Sequence, residues 1–132
     1  MIKHLPVILI IFFMLFGASA CTSSRSWQLS EADNGSALEM NTGETLVITL
    51  AGNPTTGYQW ELVPSQDSVL QMAGEAEYMP GKTKLVGAGG IYRFTFTAHQ
   101  PGSTRLNLKY YRSFEPADTP PVSTFSITVT VK

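Results

Sequence analysis

The sequence predicts an all-β protein with an immunoglobulin-like antiparallel β-sandwich. Three long segments alternate apolar and polar residues with a period of two, as strands with one buried and one solvated face do: residues 91–98, 104–110 and 123–132. Turn-forming residues separate these segments from several shorter strand-like runs, and residues 21–132 show little helical period. Short, turn-spaced strands without helices indicate two packed sheets.

Shorter runs of apolar residues predict the earlier strands. They are residues 27–32, 37–40, 45–50, 58–63 and 69–72. Trp60 shares a face with apolar neighbours, so we interpret it as a core anchor rather than a ligand platform. Residues 74–86 are mixed in character around the turn signal Pro80-Gly81 and show little helical period.

The first 20 residues have the pattern of a secretory signal peptide, because a basic start precedes an apolar run and then small residues. The apolar run is too short to cross a membrane as a helix. We therefore divide the chain into a signal peptide, residues 1–20, a lipidated tether, residues 21–25, and one domain, residues 26–132. That domain is long enough to bury a single core.

Cys21 is the only cysteine of the chain, so the exported fold must hold by packing without an internal disulfide. Residues 17–21, Gly-Ala-Ser-Ala-Cys, resemble a bacterial lipobox, although Ala18 stands where leucine is usual. The resemblance implies a lipid anchor on Cys21, and Thr22 after it favours the outer membrane, with the protein facing the periplasm. The same residues fit an ordinary Ala-x-Ala cleavage site, which would release a soluble periplasmic protein.

Charge and residue types argue against several functions. Without Lys3 of the signal peptide, the chain has eight basic and ten acidic residues and no basic stripe, so nucleic-acid binding lacks electrostatic support. His99 is the only histidine beyond the signal peptide, and no residues have the spacing of metal ligands. We therefore expect no metal, no cofactor and no catalytic centre.

One short segment between two predicted strands is more specific than the composition. Its proline favours a rigid turn, and its glycine permits a positive φ where the chain re-enters a strand. The segment offers backbone groups, carries no charge and contains no general base. Taken alone, such a segment is an ordinary turn. Its six residues are Asn53, Pro54, Thr55, Thr56, Gly57 and Tyr58.

These six residues, followed by Gln59-Trp60, resemble the central inhibitory loop of the chagasin family of cysteine peptidase inhibitors. A second family motif, Gly-x-Gly-Gly, is matched directly before a predicted strand by Gly87, Ala88, Gly89 and Gly90. Phosphate-binding glycine loops run into a helix instead, so the alternative for this segment is a flexible turn.

The third family motif, Arg-Pro-Trp, is degraded in this chain. Arg112 matches, whereas Ser113 replaces the proline and Phe114 replaces the tryptophan. The segment keeps a cation and an aromatic ring, which is the composition of an interface anchor, but it loses a rigid residue. The alternative is a surface loop with one exposed aromatic residue.

The resemblance implies an immunoglobulin-like inhibitor of papain-like (clan CA) cysteine peptidases, not an enzyme. It implies reversible, non-covalent binding, with the central loop in the active-site cleft and the other two segments on either side. Loops after alternate strands of such a sandwich cluster at one end, so we expect the three segments to form one edge. We expect a monomer whose target is the cell's own peptidase or a foreign one.

A different class of function stays open from the sequence. An immunoglobulin-like envelope module could bind another protein or a glycan and have no protease target. The degraded third motif is the observation that favours this alternative.

Overall fold

The computed structural model describes residues 24–132, so the predictions for the signal peptide and for Cys21 lie outside it. Within that range, two β-sheets pack face to face, and the only helical segments are two short 3₁₀ turns, Glu31–Asp33 and Pro54–Thr56. None of the helical segments in the described part of the chain has the length and apolarity to cross a membrane. The strands are β1 Ser26–Leu29, β2 Ala37–Met40, β3 Thr45–Gly52, β4 Tyr58–Leu62, β5 Leu70–Met72, β6 Glu77–Pro80, β7 Gly90–Ala98, β8 Gly102–Arg112 and β9 Ser123–Val131.

The predicted fold class is confirmed, because the described residues are almost entirely strand and turn in two layers. The first sheet has the order β1-β3-β7, with β5 and β6 both beside β7. The second sheet has the order β2-β9-β8-β4. Five neighbouring pairs are antiparallel.

Two pairs of strands are parallel rather than antiparallel: β1 with β3 and β2 with β9. The chain crosses from one sheet to the other after β1 and again after β2. These crossings prevent hairpins, so each short strand pairs with a strand that is distant in sequence and runs the same way. The result is two mixed sheets.

Alternate residues of the long strands point into a common core, as the period-two pattern predicts. Trp60 is only 8% exposed, and its Nε1 donates to the Ala51 carbonyl oxygen at 2.9 Å, so its interpretation as a core anchor is confirmed. Each large apolar side chain contributes roughly 1.5–3 kcal/mol when fully buried. The largest fully buried side chains are Met40, Leu46, Ile48, Leu50, Phe94, Phe96, Leu108, Phe125, Ile127 and Val129.

Residues 74–86, to which the sequence assigned no strand, contain β6, which pairs with β7. This four-residue edge strand has no clear alternation, and its extended backbone is held by the ladder to β7. Tyr78 packs against Tyr92, with ring centroids 5.1 Å apart. Pro80 ends the strand, where a residue without an N–H is tolerated.

The first strand is also shorter than predicted. It ends at Leu29, and the Glu31–Asp33 turn follows. Ser24 and Arg25, assigned to the tether, hydrogen-bond to the domain instead. The Ser24 hydroxyl donates to the Gly43 carbonyl oxygen at 2.8 Å, and the Arg25 carbonyl oxygen accepts from the Thr45 N–H at 3.0 Å.

Asp67 organises the connection between β4 and β5. Its carboxylate accepts hydrogen bonds from the Ser65 hydroxyl, from the Thr104 hydroxyl at 2.7 Å and from the Val69 N–H at 3.1 Å. These bonds, of which the one from Ser65 has the largest effect, hold the pKa of Asp67 below its ordinary value of 3.8.

We expect Asp67 to contribute to the acid sensitivity of the fold. A carboxyl group whose pKa is lower in the folded chain stabilises the fold above its unfolded pKa, and this stabilisation is lost as the pH falls through the folded pKa. In Asp67→Asn, the thermal unfolding midpoint should therefore fall less steeply than in the wild type between about pH 5 and pH 2. Circular dichroism measures both slopes, and Asp118→Asn on an exposed loop is the control. Equal slopes in all three proteins would contradict this account.

Candidate functional site

The three predicted segments meet at one end of the sandwich. Residues 53–57 connect β3 to β4, residues 81–89 connect β6 to β7, and Phe114 follows the end of β8. Asn53 Nδ2 donates to the Gly87 carbonyl oxygen at 2.6 Å, and Arg112 Nε donates to the Thr56 carbonyl oxygen at 3.1 Å. We call the surface formed by residues 53–58, 81–90 and 112–114 the loop edge.

The central loop, residues 53–57, is closed by its own hydrogen bonds. Asn53 Oδ1 accepts from the Thr55 N–H at 3.1 Å and from the Thr55 hydroxyl at 2.6 Å. The Thr56 hydroxyl donates to the Asn53 carbonyl oxygen at 2.6 Å. Both threonine hydroxyls therefore donate to oxygens of Asn53, and neither is paired with a general base that could activate it as a nucleophile.

Gly57 ends the turn with a φ of +81°, the left-handed conformation expected from the sequence. Its N–H donates to the Pro54 carbonyl oxygen at 3.0 Å. A Cβ atom at this position would lie 2.8 Å from Phe114 Cε1. An added Cβ would therefore strain the backbone and displace the Phe114 ring.

The glycine segment packs against the protein's own backbone. A Cβ on Gly89 would lie 3.0 Å from the Gly52 carbonyl oxygen, and one on Gly90 would overlap the Met79 carbonyl oxygen. Gly90 is also the first residue of β7 rather than part of a loop. Close packing between β3, β6 and β7 therefore explains these two glycines, and Gly87 is the residue bonded to Asn53.

Arg112 is occupied by internal contacts. Its guanidinium carbon lies 4.2 Å from the centroid of the Tyr58 ring, and one terminal nitrogen lies 3.5 Å from the Glu115 carboxylate. Together with the bond to Thr56, these contacts join the central loop to β8. Ser113 is exposed, and Phe114 is 72% exposed.

The sequence did not indicate two aliphatic residues of the loop edge. Leu85 and Val86 are 77% and 104% exposed, in the same connection as Gly87. Contiguous exposed aliphatic side chains are typical of contact surfaces. The signal in the sequence was an apolar pair between lysines and glycines, but without periodicity that pair does not show whether it is buried.

Tyr110 is a third residue whose place near the site the sequence did not indicate, because it falls within a predicted strand. Its ring stacks on Tyr58 and on Trp60, with centroids 5.3 and 5.0 Å apart, and its hydroxyl accepts from the Asn53 N–H at 2.8 Å. Alternation showed only that it shares a face with buried residues of β8.

Within residues 24–132, no group of three His, Cys, Asp or Glu side chains is placed to hold a metal ion.

Substitution of Gly57 tests the contact with Phe114. Gly57→Ala should lower the free energy of unfolding by on the order of 1–3 kcal/mol, because the left-handed conformation is strained for alanine. It should also displace the Phe114 ring. Gly43→Ala is a matched control, because Gly43 has a φ of +90° but no atom within 4 Å of an added Cβ.

Urea unfolding measures the two free energies, and NMR signals of the Phe114 ring measure the displacement. Both variants should be destabilised, but only Gly57→Ala should shift the Phe114 signals. A shift in both variants or in neither would show that the ring does not depend on Gly57.

Comparison with known proteins identifies relatives of this chain. Residues 39–129 match the model of the chagasin family of peptidase inhibitors, family I42. Chagasin of Trypanosoma cruzi is 34% identical over 90 residues, which cover 66% of this chain and 82% of that protein.

Solved structures have the same fold. The cysteine protease inhibitor EhICP2 from Entamoeba histolytica superposes with a TM-score of 0.71 at 21% identity, covering 83% of this chain and 98% of that one. PbICP-C, solved in complex with falcipain-2, has a TM-score of 0.54 at 28% identity, covering 83% of this chain and 93% of that one.

Proposed function

The chain belongs to the chagasin family of peptidase inhibitors, and on that premise we propose that it inhibits papain-like cysteine peptidases reversibly and without a covalent bond. It is an inhibitor and not an enzyme. The loop edge covers the active-site cleft, with the central loop inside and the two neighbouring segments on either side. The observation that carries this proposal is the joining of all three segments by the Asn53–Gly87 and Arg112–Thr56 hydrogen bonds.

The proposed mechanism depends on shape rather than on reactivity. The central loop carries no charge, and both of its threonine hydroxyls donate within it. Its residues Pro54–Thr56 form a 3₁₀ turn rather than an extended strand, so they do not offer a peptide bond in the manner of a substrate. A loop already held in one conformation loses little entropy on docking, which favours tight binding.

Exposed apolar residues flank the central loop and supply the proposed contacts beside the cleft. Leu85 and Val86 lie in the segment bonded to Asn53, and Phe114 contacts the opposite end of the loop at Gly57. Exposed apolar side chains are typical of contact surfaces, and an aromatic anchor can carry a large share of the binding free energy. We propose that the protein inhibits as a monomer.

Titration of papain with the purified protein tests the proposed function. We expect the inhibition to be reversed by dilution, with no covalent adduct on a denaturing gel. Absence of inhibition at micromolar concentration would contradict the proposal for general papain-like targets. Co-purification with an envelope partner that is not a protease would then favour the alternative, a module that binds a protein or a glycan.

Substitution of Phe114 tests whether the degraded third motif still contributes to peptidase binding. Phe114→Ala should weaken binding by roughly 1–3 kcal/mol, as loss of an interface anchor does. Val63→Ala, which removes a 38% exposed side chain after β4, at the other end of that strand from the loop edge, is the control. Ser113→Pro combined with Phe114→Trp should hold or improve binding, because it restores a rigid residue and a larger ring.

The inhibition constant of each variant against one peptidase gives these free energies, and circular dichroism confirms folding. If Phe114→Ala has the same constant as Val63→Ala, residues 112–114 make no contact with the peptidase.

We further propose that Cys21 is acylated and that it anchors the protein in the outer membrane, facing the periplasm. The position of Ser24 supports this arrangement, because it bonds to Gly43 beside the start of β3, whereas the central loop follows the end of β3. The two ends of this strand lie about 25 Å apart. A lipid three residues before Ser24 would leave the loop edge facing away from the membrane, where a peptidase of the cell or a foreign one could reach it.

Mass spectrometry of the mature protein tests the anchor. We expect the N-terminal residue to be a diacylated Cys21, found in the membrane fraction. An unmodified Cys21 in the soluble periplasmic fraction would refute the anchor and would show that the Ala-x-Ala cleavage site is used.

A further inference from the structure

The local hydrogen bonds of the central loop fix its shape but not its direction. The bonds among Asn53, Thr55 and Thr56 begin and end within the loop. They would persist if the whole loop tilted about the end of β3. Its direction therefore depends on bonds to other parts of the chain.

Among the described residues, three hydrogen bonds join the central loop to other segments. The bonds from Asn53 Nδ2 to Gly87 and from Arg112 to Thr56 are exposed, so water competes with both. The third is half-buried: the Asn53 N–H donates to the Tyr110 hydroxyl at 2.8 Å. This bond holds the backbone at the point where the loop leaves β3.

Tyr110 is itself held by its neighbours. Its ring stacks on those of Tyr58 and Trp60, with interplanar angles of 30° and 28°. Trp60 is its cross-strand partner, and Trp60 Nε1 donates to the Ala51 carbonyl oxygen at 2.9 Å. Stacked aromatic pairs add about 0.5–1.5 kcal/mol beyond their burial, so this hydroxyl has little freedom to move.

Tyr110 and Trp60 thus form an aromatic clamp that reaches from one sheet to the other. Both residues belong to the second sheet, whereas Ala51 and Gly52 end β3 in the first sheet. The clamp holds one backbone group on each side of Gly52, the Ala51 carbonyl oxygen and the Asn53 N–H. A Cβ on Gly52 would lie 3.3 Å from Trp60 Cδ1 and 2.7 Å from Tyr92 Cδ2, so the backbone approaches the rings closely.

We propose that Tyr110 is a positioning residue for peptidase binding, a role that rests on the proposed function. Its hydroxyl sets the direction of the central loop in the free inhibitor, before any peptidase is met. When only a fraction of molecules holds the binding arrangement, the apparent affinity falls by that fraction. Loss of the hydroxyl therefore acts on the free inhibitor rather than on contacts in the complex.

Tyr110→Phe tests this role because it keeps the ring and removes the acceptor of the Asn53 N–H. The inhibition constant against papain should rise about tenfold, as expected when one half-buried hydrogen bond is lost. The rise should come from slower association, with the dissociation rate nearly unchanged, because the bound peptidase holds the loop in the complex.

Tyr111→Phe is the matched control. It removes the hydroxyl of the next residue, which donates to Glu61 rather than to the central loop. This variant also loses one hydrogen bond and one oxygen atom, so its stability reports the general cost of the change. Its association rate with papain should equal that of the wild type, and equal rates for the two variants would overturn the proposal.

Hydrogen exchange of the Asn53 amide, followed by NMR without a peptidase, provides a separate measurement. Tyr110→Phe should accelerate exchange at Asn53 and leave exchange at Ile48, in the middle of β3, unchanged. Unchanged exchange at Asn53 would overturn the role of Tyr110. If the wild type inhibits no peptidase, the proposed function fails, and this measurement alone decides whether Tyr110 holds the loop.

Discussion

The packing of the two sheets against each other across β3 is the interaction on which the rest of the structure depends. Leu46, Ile48 and Leu50 of this strand are fully buried, and β3 pairs with β1 on one side and with β7 on the other. The described residues contain no cysteine, so packing and strand pairing hold them together. The central loop begins where β3 ends, and its position is therefore set by the core.

The strands that could be predicted from the sequence are those in which apolar, buried side chains alternate with polar, exposed ones. In β7, β8 and β9, one face is buried and the other is solvated, and the period of two records this difference directly. In β6 the side chains show no clear alternation between buried and exposed positions, because the strand lies at an edge and pairing with β7 holds it extended. The parallel pairs could not be predicted either, because pairing partners depend on where the chain crosses between sheets.

The same limit applies to the candidate site. Local requirements of the backbone are visible in the sequence, so the turn at Pro54–Thr56 and the left-handed Gly57 could be predicted. Contacts between distant segments are not visible in this way. Alternation places Tyr110 on a buried face but cannot show that its hydroxyl reaches Asn53 in the other sheet. The exposure of Leu85 and Val86 could not be predicted either, because they lie in a loop whose residues show no periodic pattern.

The loop edge contains residues that hold it together and residues that are exposed to solvent. Arg112, the part of the third motif that matches the family, belongs to the first group, because its guanidinium contacts Tyr58, Thr56 and Glu115. Phe114, Leu85 and Val86 belong to the second group, since most of their surface is exposed. Side chains in the second group make none of the hydrogen bonds that join the loops. In the proposed complex, replacing residues of the second group would alter the fit to a given peptidase while the arrangement of the three segments is retained. Phe114, which stands where the resembled family motif has tryptophan, is a replacement of this kind.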